Sequence, residues 1–223
     1  MKTFHIKTNH LEAWKSLLAN PEKQWKAGYS AYELAYAWTN TEGLPKSVSA
    51  AFANTDYERI KILYAFPEHQ VYLNNIKAPS QNDLFVLGKI DQDLVVVMVE
   101  GKVNEPFGEL LKDWLYQASE GKKERLAFLK NTLQLPPSLP IDHIRYQLLH
   151  RAASALIEAE NLNAKRAILL VHSFSREHSW FDDYSSFVSL FGLHAQKDGL
   201  TNSVLIDGVQ LSFGWVSDKP LQA

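Results

Sequence analysis

The stretch DLFVLGKIDQDLVVVMVEGKV, residues 83–103, decides how this chain folds. Two apolar runs, 83–90 and 93–102, flank the polar pair Asp91-Gln92, the pattern of two buried strands joined by a tight turn. With Asp91 and Gln92 as the loop, Ile90 pairs with Asp93, and counting outward places Asp83 opposite Glu100. Opposite residues share a face with Cβ atoms about 4.5–5.5 Å apart. Lys102, two positions beyond Glu100, falls on the same face. Two carboxylates and an amine therefore meet at one end of an otherwise apolar hairpin. Buried charges of this kind are costly unless they pair or hold a metal.

Helix and strand signals alternate around the hairpin. LEAWKSLL (11–18) and SAYELAYAWTNTEG (30–43) read as helices, and LPKSVSAAFANT (44–55) resumes helix after Pro45. TDYERIKILYAFPEH (55–69) opens with a capping pattern, Thr55 and Glu58, and is expected to be helical up to Pro67. HQVYL (69–73) reads as a short strand and NNIKAPSQN (74–82) as a loop. After the hairpin, EPFGELLKDWLYQASEG (105–121) spaces Phe107, Leu111, Trp114 and Ala118 as a helix does. KKERLAFLKNTLQL continues helically to the PPSLP loop at 136–140, and IDHIRYQLLHRAASALIEAENL (141–162) is the longest helix. KRAILLVHSFS (165–175) is a buried strand, WFDDYSSFVSLFGL (180–193) a helix, and SVLIDGVQLSFGWV (203–216) a hairpin turning at Asp207-Gly208. The expected fold class is α/β of the α+β type: one domain over 1–223, with a mixed central sheet flanked by helices and a C-terminal hairpin.

Composition narrows the function classes. The chain is 46% apolar and 22% charged with a net charge of −2, so no global basic character announces a nucleic-acid binder. A near-neutral domain is still compatible with an enzyme touching nucleic acid over a small local surface. No apolar stretch approaches the roughly 20 residues of a membrane span. MKTFHIKTNHLEAWKSLL at the N-terminus lacks a signal-peptide core. The absence of cysteine excludes thiolate catalysis, disulfides and Cys-based metal sites, and fits an expected cytoplasmic location.

The two carboxylates suit a divalent cation, which relieves their mutual repulsion. Mg²⁺ is commonly held by one or two carboxylates with waters and substrate phosphates. A strand beginning in Asp, a turn, and an apolar strand ending in Glu-x-Lys ahead of a helix resemble the PD-(D/E)XK, or restriction-endonuclease-like, nuclease superfamily. The resemblance rests on Asp83, Glu100 and Lys102 and implies an αβββαβ core over about 30–175. Here Pro79 stands four residues before the Asp, where the superfamily usually has an adjacent proline. VEGKVNEPFG and IRYQLLHRAASAL also look like an uncharacterised bacterial family of domains of unknown function with this type of core. The resemblance implies Asp83 and Glu100 as ligands of Mg²⁺ or Mn²⁺, Lys102 as the catalytic amine, and DNA as partner and substrate.

Members of the superfamily often add a carboxylate from the helix before the sheet, which makes Glu33 a further catalytic candidate. Ser30 and Glu33 alternatively form a capping box. Gln147 and Arg151, one helical turn apart, are candidate substrate-binding residues, an arginine being suited to clamp a phosphate; the alternative is a solvated helix face. Glu105 reads as first-turn dipole complementation and Lys89 as an edge-strand charge. His172 and Ser173 end a buried strand, but the chain has no G-x-S-x-G elbow, so a hydrogen-bonded core histidine is the expected reading. No H-E-x-x-H, glycine-rich phosphate loop or dinucleotide fingerprint is present. The expected function is Mg²⁺-dependent DNA hydrolysis. The alternatives are a catalytically inactive binding or regulatory module on the same fold and a phosphodiesterase of small nucleotides. No membrane association is expected, and a homodimer is compatible with the sequence.

Overall fold

Apolar runs select the central strands. VVVMV (95–99) and AILLV (167–171) are buried on both sides, as parallel strands covered by helices must be. The structure, a computed structural model, describes residues 10–73 and 78–221, so residues 1–9 of the N-terminal stretch and 74–77 of the expected loop lie outside it. The elements in chain order are α1 (Leu11–Lys15), α2 (Pro21–Gln24), α3 (Ser30–Thr39), α4 (Lys46–Phe52), β1 (Lys61–Val71), β2 (Ser80–Ile90) and β3 (Asp93–Lys102). There follow α5 (Leu111–Trp114), α6 (Glu120–Thr132), α7 (Tyr146–Asn161), β4 (Arg166–Ser173), α8 (Phe181–Ser189), β5 (Gly199–Leu200), β6 (Val204–Ile206) and β7 (Val209–Ser217).

The strands form one mixed sheet in the order β1-β2-β3-β4-β7-β5, with β6 also paired to β7. β1, β2 and β3 form an antiparallel meander, whereas β3, β4 and β7 run parallel. The fold is α+β with helices on both faces. Leu34, Val48 and Phe52 from α3 and α4 pack with Val95, Val97 and Val99 on one face. On the other, the Leu148, Ala152, Ala155 and Ala159 stripe of α7 packs with Val96, Met98, Leu169 and Phe213, joined by Tyr184 and Phe187 of α8. Among the described residues no helix is long and apolar enough to cross a membrane.

The central hairpin has the expected register: Ile90 pairs with Asp93 and Leu84 with Val99. The segment at 55–69 does not form the expected helix. Thr55 and Glu58 do engage nearby amides, Tyr57 N at 3.1 Å and Asn54 N at 3.3 Å, but only turns follow. From Lys61 the backbone pairs along β2 instead, from Lys61 with Lys89 to Val71 with Ser80. Pro67 is tolerated because β1 is an edge strand. Ser80, Gln81 and Asn82, expected in a loop, are paired in that ladder. The expected helix at 105–121 reduces to the single turn α5, because its amides pair with another segment: Leu111 N donates to Ile144 O at 2.8 Å and Lys112 N to Asp142 O at 3.0 Å. Left-handed residues Gly108 and Gln117 bound it, yet Leu111 and Trp114 are still buried in the α7-side core. The long helix starts at Tyr146 rather than 141, and the C-terminal hairpin is integral to the sheet, since β7 lies beside β4.

The residue between Glu100 and Lys102 is held small by the opposite face. A Cβ on Gly101 would come within 3.3 Å of Leu34 Cβ and 3.4 Å of Ser30 O, so α3 lies directly on the strand there. Gly101→Val should therefore cost about 1–3 kcal/mol in urea denaturation, the usual range for overpacking. A neutral substitution would show that α3 does not fix this part of β3.

Candidate functional site

The register and the parity of the strands put Asp83, Glu100 and Lys102 on the α7 face, with Phe85, Met98 and Val96 beneath them. Gly101 N donates to an Asp83 carboxylate oxygen at 2.9 Å, and Lys102 Nζ donates to Glu100 Oε1 at 2.5 Å. Glu100 is 1% exposed and Lys102 3% exposed, and the Lys102 amine also lies 5.0 Å from the centroid of Phe107.

Arg151 completes the cluster from above. Its alanine-lined helix face lets α7 lie close on the sheet, and the buried guanidinium hydrogen-bonds Glu100 Oε2 through Nε. The same group approaches Asp83 at 3.8 Å and donates to Ser80 Oγ at 3.3 Å. Ser80 Oγ also bonds His150 Nδ1 at 2.8 Å. Burial and the neighbouring cations Arg151, Arg125 and Lys102 hold His150 well below the ordinary histidine range, so it is neutral near pH 7.

A third carboxylate lies where no site residue was expected. Glu68 sits in β1 between Pro67, paired with Leu84, and His69, paired with Asn82, which places it beside Asp83. Its backbone is left-handed, φ 54°, and Gln81 donates to its carboxylate. Burial and then the Asp83 charge push Glu68 up to about 8. Burial and then the Glu100 charge push Asp83 up to about 6, against the pull of Arg151 and Lys102. Burial alone would raise Glu100 too, but Arg151 and Lys102 overcome it and hold that carboxyl below its usual range. Raised to about 8, Glu68 is mainly protonated near pH 7, so the charged groups of the cluster are Asp83 and Glu100 against Lys102 and Arg151. Asp83, whose side chain is 24% exposed, is the open side of the group.

The remaining expected residues divide. Gln147 stands one turn before Arg151 with its Oε1 buried and without a hydrogen-bond partner among the described residues. Glu33 is not brought to the cluster. It lies on α3, across the sheet, and its carboxylate accepts from Gly28 N at 2.6 Å and Leu221 N at 2.8 Å. The Ser30 capping box is not formed either, for Ser30 is inside the helix and Tyr29 is the cap residue. Glu105 bonds the Val103 and Asn104 amides. His172 is fully buried and its Nδ1 accepts from Trp38 Nε1 at 3.1 Å. Its Nε2 must then carry the proton and donate to Asp218, 2.9 Å away, which Ser47 also contacts; this is a structural tie, with no nucleophile arranged around it.

Mg²⁺ or Mn²⁺, implied by the resemblance, needs hard oxygen donors, and Asp83 and Glu100 supply two on neighbouring strands with the orphaned Gln147 Oε1 on the helix above. Among the described residues no group of three or more His, Asp or Glu side chains is arranged to hold a metal. An ion here would be held by two carboxylates with waters and phosphate oxygens, not by an all-protein cage, and would have to displace Lys102 or Arg151 from the Glu100 oxygens they occupy. Glu68 and Arg151's pairing escaped the sequence reading for one reason: both depend on which strand or helix comes to lie beside the hairpin.

The chain belongs to the family described as a domain of unknown function (DUF6946), which matches residues 7–220. No curated protein and no solved structure gives a significant match.

Arg151→Met, measured by urea denaturation in EDTA, should cost about 3 kcal/mol, because it leaves Glu100 buried with only one of its two cations. Adding Glu100→Gln to that variant should recover part of the loss, a coupling expected of groups in direct contact. Additive losses would mean that the two side chains do not share a charge.

Proposed function

We propose that this chain is a divalent-metal-dependent nuclease of the PD-(D/E)XK type, hydrolysing DNA phosphodiester bonds. The observation that carries this reading is the juxtaposition of Asp83 and Glu100 on one face with the Lys102 amine 2.5 Å from Glu100 and a third carboxyl, Glu68, beside Asp83. The Asp83 carboxyl, pushed upward by burial and then by the Glu100 charge, is one whose ionised form a cation stabilises.

Asp83 and Glu100 would hold the ion. When bound, Mg²⁺ or Mn²⁺ supplies Lewis-acid polarisation of a phosphoryl oxygen and a lowered pKa for a water nucleophile. Lys102 presents a positive charge and three N–H donors beside that centre. It serves to orient the nucleophile or to offset charge developing on the phosphate. Its buried stem and the Phe107 ring fix the amine, which preserves its orientation through the reaction. Arg151 carries the charge balance of Glu100 before an ion enters and, released by the ion, would meet substrate phosphate.

A second reading has its own observation. The Arg151 guanidinium, bonded to Glu100 and near Asp83, already supplies much of the positive charge that an ion would bring. A catalytically inactive binding or regulatory module would retain such a self-neutralised cluster.

Melting and cleavage separate the two. Mg²⁺ or Mn²⁺ should stabilise the wild type by about 2.7 kcal/mol at a hundredfold excess over Kd. Labelled DNA should be cut with metal and left intact in EDTA. Asp83→Asn should abolish both effects without lowering metal-free stability. Lys102→Met should keep the melting shift and lose cleavage by about 10²-fold or more. A wild type that neither shifts nor cuts would select the inactive module.

A further inference from the structure

The three parallel strands end at one edge of the sheet, and there two of them part company. After β4 the chain turns towards α8, whose Tyr184, Phe187 and Val188 pack on the α7 face. After β7 it turns to the opposite face, where Asp218 bonds Ser47 at 2.6 Å and Leu221 N bonds Glu33. Adjacent parallel strands whose connections leave to opposite faces open a crevice at their carboxyl ends, the usual ligand position in such sheets.

A crevice of about 900 Å³ occupies this place, lined by Ser175, Arg176 and His178 on one side and Ser217, Asp218 and Lys219 on the other. Arg176 and Lys219 are exposed and have no ion-pair or hydrogen-bond partner among the described residues. The nearby carboxylates are engaged: Asp218 with His172 and Ser47, Asp198 with Ser217 N at 2.7 Å. Glu177, beside Arg176, is exposed. Ser217 Oγ and His178 Nδ1, 3.1 Å apart, bridge the two walls. His178 and Trp180 hold left-handed backbone, φ 53° and 70°, in the wall loop, strain of the sort retained where a loop shapes a site. The loop is tied to the candidate metal centre, since Trp180 Nε1 donates to Asn104 O at 2.8 Å, two residues after Lys102.

Register links the two places directly. Lys102 pairs with Ser173 and Ser173 with Ser217, so the crevice begins two strand spacings, about 10 Å, from the Lys102 backbone along the same edge. We infer that the Arg176–Lys219 crevice binds backbone phosphates of a DNA strand running across the sheet edge to Asp83, Glu100 and Lys102. The identity of the ligand as a DNA strand rests on the nuclease reading; the anion-binding chemistry of the crevice does not. Exposed cations that meet the phosphates hold a strand by its backbone, a contact that carries no sequence information.

The test measures binding by fluorescence anisotropy of a labelled single-stranded DNA in EDTA, where cleavage cannot occur, over a series of salt concentrations. The wild type should bind. The Arg176→Ala/Lys219→Ala variant should bind about tenfold or more weakly, with the salt slope smaller by about 1.4, as loss of two phosphate contacts requires. Arg176→Gln alone should fall between them, and all melting temperatures should agree because both residues are exposed. Unchanged affinity and slope in the double variant would overturn the inference, as would failure of the wild type to bind. Inorganic phosphate bound by the wild type in the absence of strand binding would overturn it in favour of a small phosphate ligand. A double variant that loses binding while the wild type never cuts DNA with Mn²⁺ would sustain the crevice and refute the nuclease. Metal-dependent cutting by a double variant that binds normally would do the reverse.

Discussion

Glu100 is a carboxylate with 1% of its surface exposed near the carboxyl end of an apolar central strand, shared between Lys102 on its own strand and Arg151 on the helix above. Removing an ion from water costs several kcal/mol even after relaxation, so this position is tenable only while both cations remain. The constraint fixes geometry as well as charge. Arg151 reaches Glu100 because Ala152, Ala155 and Ala159 let α7 settle close to β3 and β4. On the opposite side of the strand Gly101 admits α3. The Glu-x-Lys segment is thus clamped from both faces, and what it exposes to solvent is Asp83.

The hairpin was legible because its information is local: a two-residue turn sets the register, and that register places Asp83, Glu100 and Lys102 on one face. Strand β4 was legible from its apolar run and the body of helix α6 from its composition, although the start of α6 at Glu120, capped by Ser119, was not. β1 was not, because Thr55 and Glu58 imitate a helix start, while the pairing that makes residues 61–71 a strand comes from β2. That error hid Glu68, whose place beside Asp83 exists only once β1 is a strand. Glu33 misled for the opposite reason. Its local S-x-x-E pattern is real in the sequence, but the side chain joins the Gly28 and Leu221 amides, and the second lies far along the chain.

The carboxyl edge of β3, β4 and β7 gathers the chemistry of the molecule. Lys102, Ser173 and Ser217 lie in one row, with Asp83 and Glu100 at one end and the Arg176–Lys219 crevice at the other.

Diffraction from crystals grown with Mn²⁺ tests the central claim directly, through the anomalous signal of the ion. The account predicts one strong peak at about 2.0–2.2 Å from carboxylate oxygens of both Asp83 and Glu100, close to the hard-cation oxygen distance, with Arg151 withdrawn from Glu100. A map with no peak at saturating Mn²⁺, and Arg151 still bonded to Glu100, would contradict it and make the cluster a structural ion network alone.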